Sequence, residues 1–536
     1  MSGKASYHSL KIPYKPLVFI VLDGFGVSSE VVATTWSHAK RPTFEEIENH
    51  YPFTTLQASG VSVGLMYGEA GNSEVGHLTI GSGRIVYSHL PRIIVAIQDG
   101  SFFSNPAFKK AATHARTHQS NLHIMGLLSS GSVHAYIDHF YAILDFCKHE
   151  HVERVFLHIF TDGRDGPPKE GVHLIEHLEE RISKDYPFAR VASLIGRRFA
   201  MDRDDYWDRI ETTYNLLVDG GGETFEDSSA FIRKNYEIGI TDEYIPAGIK
   251  QMKGSKTGTM QDNDAVIFLN YREDSARELT SAFTDQGFDK FGRRLLRNLF
   301  FVTMTEYDAR FPVAVAFPPI TIEHPLSRVI SDGGFSQLHI AETEKYAHVT
   351  YFFNGGIEKM FPGEARELVP SPKNIRFDEK PEMAAADVTD AILDGMQNYD
   401  FVLANFANAD MVGHTGNLKA TVKAVEILDY SLGIIIPKVL EQGGGVVITS
   451  DHGNAEEKLY FPSGEKRTSH TTNPVPFYLV LNEVKRDRPR TPVEIKALYS
   501  ATEGVLSDIA PTLLELMDLS MPSEMTGISL LPRLLK

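Results

Sequence analysis

Three acidic-histidine clusters lie close together toward the C-terminal end of the chain: Asp410-Met411-Val412-Gly413-His414, Ser450-Asp451-His452-Gly453-Asn454 and Ser469-His470-Thr471. With Asp23, far upstream, they supply three carboxylates and three imidazoles. That donor set suits a pair of divalent cations, and such pairs mostly serve phosphoryl transfer or other hydrolytic chemistry. Asp410 and His414 have the i, i+4 spacing that puts both side chains on one helix face. Asp451 and His452 are adjacent, so both reach one site only from a strand end or a loop, where Gly453 fits. Each cluster alone reads equally as a surface pair or a plain loop.

Gly71-Asn72-Ser73-Glu74-Val75-Gly76-His77 places Ser73 near the start of a helix-like stretch. A helix N-terminus offers free N–H groups and a positive dipole end, both suited to phosphate. A serine there is either a cap or a phosphoryl acceptor. Three arginine-bearing segments form a second group: Asp162-Gly163-Arg164-Asp165, Gly196-Arg197 through Arg203, and Asn270-Tyr271-Arg272 through Arg277. Arginine forks bind phosphate and carboxylate in bidentate fashion, so a pocket for a small, doubly anionic molecule is one reading. Surface salt bridging is the other. His134 follows a further strand-like run and could join that pocket.

These residues need elements to position them. Leu17–Leu22 is a continuous apolar run, the pattern of a strand buried on both faces of an α/β sheet, and it ends at Asp23. Asp400–Asn405 precedes Asp410, and Gly445–Ser450 delivers Asp451 and His452. In open α/β sheets the C-terminal strand edge is where ligands bind. The middle of the chain has its own strand candidates at 121–126, 154–160, 191–195 and 265–269, each followed by a His- or Arg-containing loop. Because the acidic-histidine residues flank it, this segment is expected to be an inserted second α/β domain. Hinges are expected near Tyr87–Leu90 and Phe317–Pro319.

At 536 residues, two or more domains are the default. A net charge of −17 argues against a nucleic-acid surface. No apolar run approaches membrane-spanning length, and Met1–His8 shows no leader-like apolar region. The single cysteine, Cys147, fits a reducing compartment, so a cytoplasmic enzyme is expected.

The ordered motifs resemble the cofactor-independent phosphoglycerate mutases of the alkaline phosphatase superfamily. They run from Leu22-Asp23-Gly24 and the Ser73 segment through Asp162–Asp165, Gly196-Arg197 and Ala200–Arg203. They continue with Ala341–Tyr346, Asn408–His414, Thr449–Asn454, His470-Thr471 and the tail Asp508–Pro511 with Glu524–Gly527. The resemblance implies two α/β domains: a split alkaline-phosphatase-like metal domain (1–87 and 321–536) and an inserted transferase-like domain (91–318). It implies two divalent metal ions, usually manganese, with magnesium or cobalt in some members. One would be held by Asp23, Ser73, Asp451 and His452, the other by Asp410, His414 and His470.

The same resemblance implies a substrate pocket of His134, Arg164, Asp165, Arg197, Arg203, Arg272 and Lys345. Ser73 would be the nucleophile, Asp165 the general acid/base and Lys345 a charge stabiliser. The expected reaction interconverts 3- and 2-phosphoglycerate through a phosphoserine, with no 2,3-bisphosphoglycerate, no nucleic acid and no membrane, in a monomer. A metal-dependent phosphohydrolase, a mutase of another small phosphorylated acid and a non-catalytic anion binder are the alternatives. The chain departs from the family pattern at Ser275, where an arginine is usual, at Gly68-Glu69-Ala70, and within Ser129–Tyr136. Arg277 is either a substitute for the missing arginine or structural.

Overall fold

Six apolar residues, Leu17–Leu22 (β1), run through the middle of an eight-stranded sheet, and every one of them is buried. The computed structural model describes residues 10–28, 35–252, 255–256, 258–460 and 463–535. Met1–His8, examined above for a leader, lie outside them. The chain falls into two compact units: Met1–Ser88 with Ile320–Lys536, and His89–Pro319.

In chain order the first unit begins with β1 and β2 (Phe53–Gln57). The second unit holds β3 (Leu122–Leu128), β4 (Val155–Thr161), β5 (Ala189–Gly196), β6 (Glu223–Phe225), β7 (Gly248–Met252), β8 (Ser255–Lys256), β9 (Ala265–Phe268), β10 (Phe300–Thr303) and β11 (Ala314–Val315). The first unit resumes with β12 (Gln337–Glu342), β13 (Glu364–Val369), β14 (Phe401–Phe406), β15 (Gly445–Thr449), β16 (Val475–Val480) and β17 (Thr502–Val505).

The first unit's sheet has the order β13-β12-β14-β1-β15-β16-β2-β17. β1 is parallel to both neighbours, with Leu22 opposite Phe406 and Val21 opposite Thr449. β12 runs parallel to β14, with Ala341 opposite Asn405. The C-terminal ends of four adjacent strands therefore form one edge. The chain leaving β1 carries Asp23, that leaving β14 carries Asp410, that leaving β15 carries Asp451 and His452, and that leaving β12 carries Lys345. β16 reverses direction against β15, so the segment entering it brings His470 to the same edge.

The sheet is covered by helices that bury Val425, Leu428, Leu432 and Ile435 on one long helix, Leu418–Glu441, and Ile509, Leu513 and Leu514 on another, Ile509–Leu516. A fully buried Leu, Ile, Val or Phe contributes about 1.5–3 kcal/mol, so this core can fix the edge loops that carry polar residues.

The second unit repeats the logic with the order β11-β10-β9-β3-β4-β5-β7-β6, and β8 pairs with β7. β3, β4, β5 and β9 are mutually parallel neighbours. Their C-terminal ends deliver Ser129–His134, Asp162–Asp165, Arg197–Arg203 and Asn270–Arg272. Strand ends differ by at most two residues from those read in the sequence: β14 includes Phe406, and Ser450 stands just outside β15.

Candidate active site

Ser73 is the first residue of the helix Ser73–Ser82, and its predecessor Asn72 is the cap: Asn72 Oδ1 accepts from Val75 N at 3.1 Å. Capping is therefore done by Asn72, which leaves the Ser73 hydroxyl for other partners. Ser73 Oγ lies 3.0 Å from Asp23 Oδ1, 3.0 Å from His452 Nε2 and 2.7 Å from Lys345 Nζ. Gly76 lets this helix approach the β15 loop, because a Cβ there would stand 2.6 Å from Asp451 O.

Lys345 Nζ donates to Asp23 Oδ1 and to Asp410 Oδ2, both at 2.6 Å. Burial alone disfavours its ammonium, but Asp23, Asp410 and Asp451 outweigh that and raise its pKa above the ordinary lysine value. His452 behaves alike. Burial disfavours its charged form, yet Asp451, Asp23 and Asp410 push its pKa up to about 9. Asp410 is held well below the usual carboxylate range, against its burial, by Lys345 and by hydrogen bonds from His414 and His470. Buried carboxylates from three strand ends thus create a strong preference for positive charge.

Two groups of donors among the described residues are spaced to hold a metal ion: Asp410, His452 and His470, and Asp23, His77 and Asp451, each with ligand atoms within 4.8 Å of one another. The expected grouping put His452 with Asp23 and Asp451, and His414 with Asp410 and His470. His452 Nε2 stands between the two groups, 3.5 Å from Asp23 Oδ1, 3.7 Å from Asp451 Oδ2 and 4.0 Å from Asp410 Oδ1. His414 Nε2 is 3.3 Å from Asp410 Oδ1 and 3.1 Å from His470 Nε2.

The residues fit divalent cations on two observations. Asp451 Oδ2 is buried and makes no hydrogen bond among the described residues, since the nearby His77 Nδ1 is engaged by Ser73 O at 2.9 Å. His414 Nδ1 and His470 Nδ1 are anchored to Thr468 O at 2.9 Å and Gly71 O at 2.7 Å, which aims both Nε2 atoms toward Asp410. There each offers a proton to the carboxylate when the ring is charged and a lone pair to a cation when it is neutral.

His77 stands in the Ser73 motif, where the sequence alone assigns it no role. It lies one helical turn after Ser73, with Nδ1 3.2 Å from Asp451 Oδ2 and Nε2 3.0 Å from Asn405 Nδ2. Asn405 in turn donates to Asp23 Oδ2 at 2.8 Å, and Asn454 donates to Asp410 Oδ1 at 2.7 Å. The Ser73 and Asp410 motifs each have a histidine at i+4, a signal that could have singled out His77. Nothing in the sequence marks the two asparagines.

In the second unit a cavity of about 470 Å³ is lined by His134, Arg164, Asp165, Arg197, Arg203 and Arg272. Arg197 Nη1 is 2.6 Å from Asp162 Oδ1 and 2.9 Å from Asp165 Oδ2, and His134 Nδ1 is 2.7 Å from the same Asp165 oxygen. Burial opposes the Asp165 charge, but His134 and Arg197 more than compensate and bring its pKa down to about 2. Arg203 and Arg272 converge on Asp274 at 2.7 and 3.0 Å. Ser275 lines this cavity, whereas Arg277 is turned away, donating to Tyr307 O at 2.7 Å beside a different cavity. Arg277 therefore does not line this cavity. Lys345, expected with these residues, belongs to the first unit and its carboxylate cluster.

Fold and site together define an α/β protein with a cation-seeking carboxylate cluster on one sheet edge and an anion-seeking arginine cavity on another. A family model described as the BPG-independent PGAM N-terminus matches residues 93–309. The chain is 47% identical over 520 residues to the 2,3-bisphosphoglycerate-independent phosphoglycerate mutase of Moorella thermoacetica, covering 96% of this chain and 98% of that one. It is 47% identical to the namesake protein of Clostridium acetobutylicum, covering 96% and 99%. A crystal structure of Leishmania mexicana phosphoglycerate mutase at low cobalt concentration aligns over 97% of this chain and 98% of that one, with 29% identity and a TM-score of 0.53. The chain belongs to the 2,3-bisphosphoglycerate-independent phosphoglycerate mutase family.

Proposed function

We propose that this chain interconverts 3-phosphoglycerate and 2-phosphoglycerate by way of a phosphoserine at Ser73, independently of 2,3-bisphosphoglycerate. The observation that carries the reading is the convergence of Asp23, His452 and Lys345 on Ser73 Oγ. Two divalent cations would be held by Asp23, Ser73, Asp410, His414, Asp451, His452 and His470, with His77 beside Asp23 and Asp451. When bound, such cations lower the proton affinity of a hydroxyl and neutralise phosphoryl oxygens. Oxygen and imidazole donors without a thiolate suit manganese, with magnesium or cobalt as the nearest substitutes.

Ser73 Oγ, its proton transferred to a neighbouring base, attacks phosphorus, and the bond from phosphorus to the substrate's 3-oxygen breaks. Lys345 offsets negative charge on the transferring group. The departing 3-oxygen takes the proton that Ser73 gave up. Asp165, ionised at rest and positioned by His134 and Arg197, then removes the proton of the 2-hydroxyl as its oxygen attacks phosphorus. The bond from phosphorus to Ser73 Oγ breaks and Ser73 Oγ recovers that proton, Asp165 being the acid in the reverse direction. Arg164, Arg203 and Arg272 grip the carboxylate and phosphate of the substrate. A plain phosphohydrolase would have no use for such a grip on the dephosphorylated product.

The chain is read as a monomer in a reducing compartment such as the cytoplasm, in keeping with its lone buried thiol, Cys147. No helix among the described residues is long and apolar enough to cross a membrane. A coupled assay with 3-phosphoglycerate and Mn²⁺ tests the reading. 2-Phosphoglycerate should form at the same rate with or without added 2,3-bisphosphoglycerate, and accumulation of free phosphate in its place would overturn it.

A further inference from the structure

Glu456 is a fully buried acid for which the proposed reaction has no use. We propose that Glu456 is a positioning residue that locks three cation-holding loops into register, acting on Asp23, His452 and His470 through their neighbours. The inference rests on the two-cation reading of the site.

Glu456 Oε2 accepts from Gly26 N at 3.1 Å and from Asn454 N at 2.9 Å. Its Oε1 accepts from Asn473 Nδ2 at 3.0 Å and from the Thr471 hydroxyl. Gly26 lies three residues past Asp23, Asn454 two past His452, and Thr471 immediately past His470. One carboxylate therefore ties together the segments leaving β1, leaving β15 and entering β16.

The packing is built around it. A Cβ on Gly26 would stand 2.5 Å from the Glu456 carboxyl carbon, and one on Gly453 would stand 2.8 Å from Oε1. The same loops are cross-linked by Ala455 N to Gly24 O at 2.9 Å and Thr471 N to Gly453 O at 3.0 Å. Asn454, held at its backbone by Glu456, passes the constraint to a fourth strand end through its side-chain bond to Asp410 Oδ1. A carboxylate suits the site because Gly26 N and Asn454 N can only donate and the Thr471 hydroxyl and Asn473 amide are both turned to donate. Glutamine has nearly the same shape, but its NH₂ would face either two backbone N–H donors or the Thr471 hydroxyl and Asn473 amide, which would both have to turn round to accept.

The test is Mn²⁺ titration of chelator-treated protein, with free Mn²⁺ read by electron paramagnetic resonance. Removing a residue that orients ligands typically weakens metal binding about 10–100-fold, and Glu456→Gln should raise the Kd by that factor with its circular dichroism unchanged. Glu364→Gln is the control. Glu364 is a carboxylate of the same unit that accepts from Asn354 Nδ2, Phe361 N and Arg366 Nε, away from these loops. Its variant should bind Mn²⁺ as wild type does.

A wild-type Kd in Glu456→Gln, or equal weakening in Glu364→Gln, overturns the inference. If Glu456→Gln does not fold, Thr471→Val and Asn473→Ala each remove one donor and should still weaken binding; wild-type affinity in both overturns it too. A wild-type chain that binds no Mn²⁺ overturns the cation reading itself, an outcome distinct from the others.

Discussion

His414 Nε2 and His470 Nε2 face each other across 3.1 Å, each ring fixed from behind by a backbone carbonyl. Two imidazole lone pairs so placed repel unless a proton or a cation lies near both. His470→Ala should therefore lower the number of Mn²⁺ ions bound per chain, measured by elemental analysis after gel filtration. Unchanged stoichiometry and affinity would remove His470 from the ligand set.

Ser73→Ala removes the hydroxyl on which Asp23, His452 and Lys345 converge while leaving Asn72 to cap its helix. Mutase turnover should fall by at least about 10³-fold, as for other nucleophile deletions. Rapid-quench mass spectrometry should find a phosphorylated Ser73 peptide in wild type. Residual activity within tenfold of wild type would sink the phosphoserine route.

Lys345→Met keeps length and apolar stem but leaves Asp23 and Asp410 facing each other without the ammonium. Breaking a buried ion pair on one side costs about 3–5 kcal/mol, so the chelated variant should unfold at markedly lower denaturant than wild type. Added Mn²⁺ should recover part of the loss, because a ligand that binds only the folded state stabilises it. Coincident unfolding curves of the chelated proteins would contradict the picture.

Asp165 has a folded pKa of about 2, below its ordinary value. A depressed carboxylate pKa contributes stability that is present above the unfolded pKa and is lost as pH falls toward the folded one. The stability difference between wild type and Asp165→Asn should thus be constant from pH 8 to about 5 and shrink as pH drops through about 4 toward 2. Denaturant unfolding at pH 6 and pH 3.5 measures it, and a difference that grows on acidification would show the opposite sign of linkage.

Arg197→Lys retains charge but loses the planar guanidinium, whose Nη1 reaches both Asp162 and Asp165 while Nη2 lies 3.3 Å from His134 Nδ1. The substrate KM should rise, and the ratio of free phosphate to 2-phosphoglycerate among the products should rise with it. A variant with wild-type KM and product ratio would move Arg197 from the pocket to the scaffold.

Much of this arrangement was legible in the sequence because buried parallel strands leave continuous apolar runs. β1, β14 and β15 each appear as such a run followed by an acid, and β3, β4, β5 and β9 each lead into a His- or Arg-bearing loop. β2 and β17 were not legible. Phe53–Gln57 has two apolar residues set apart by two threonines, and Thr502–Val505 is polar and half-exposed at the sheet edge, so neither has a pattern distinct from a loop. Lys345 was reached only through its motif, since a lone lysine after an acidic turn looks like a surface residue. Asn405, Asn454 and Glu456 gain their meaning from partners hundreds of residues away or from a tight loop fold, which no local pattern encodes.

The pairing of Leu17 with Phe401 and Gly445 has a consequence for biogenesis. On the ribosome, β1 emerges long before either neighbour exists, and its six apolar residues must wait unpaired. The second unit is contiguous in the chain, so its sheet can close while β14 and β15 are still being made. Vectorial synthesis therefore favours maturation of the arginine unit first. The carboxylate cluster assembles only after β15 and the segment carrying His470 have left the exit tunnel, and truncations short of β15 should leave one edge of β1 unpaired and open to aggregation and chaperones.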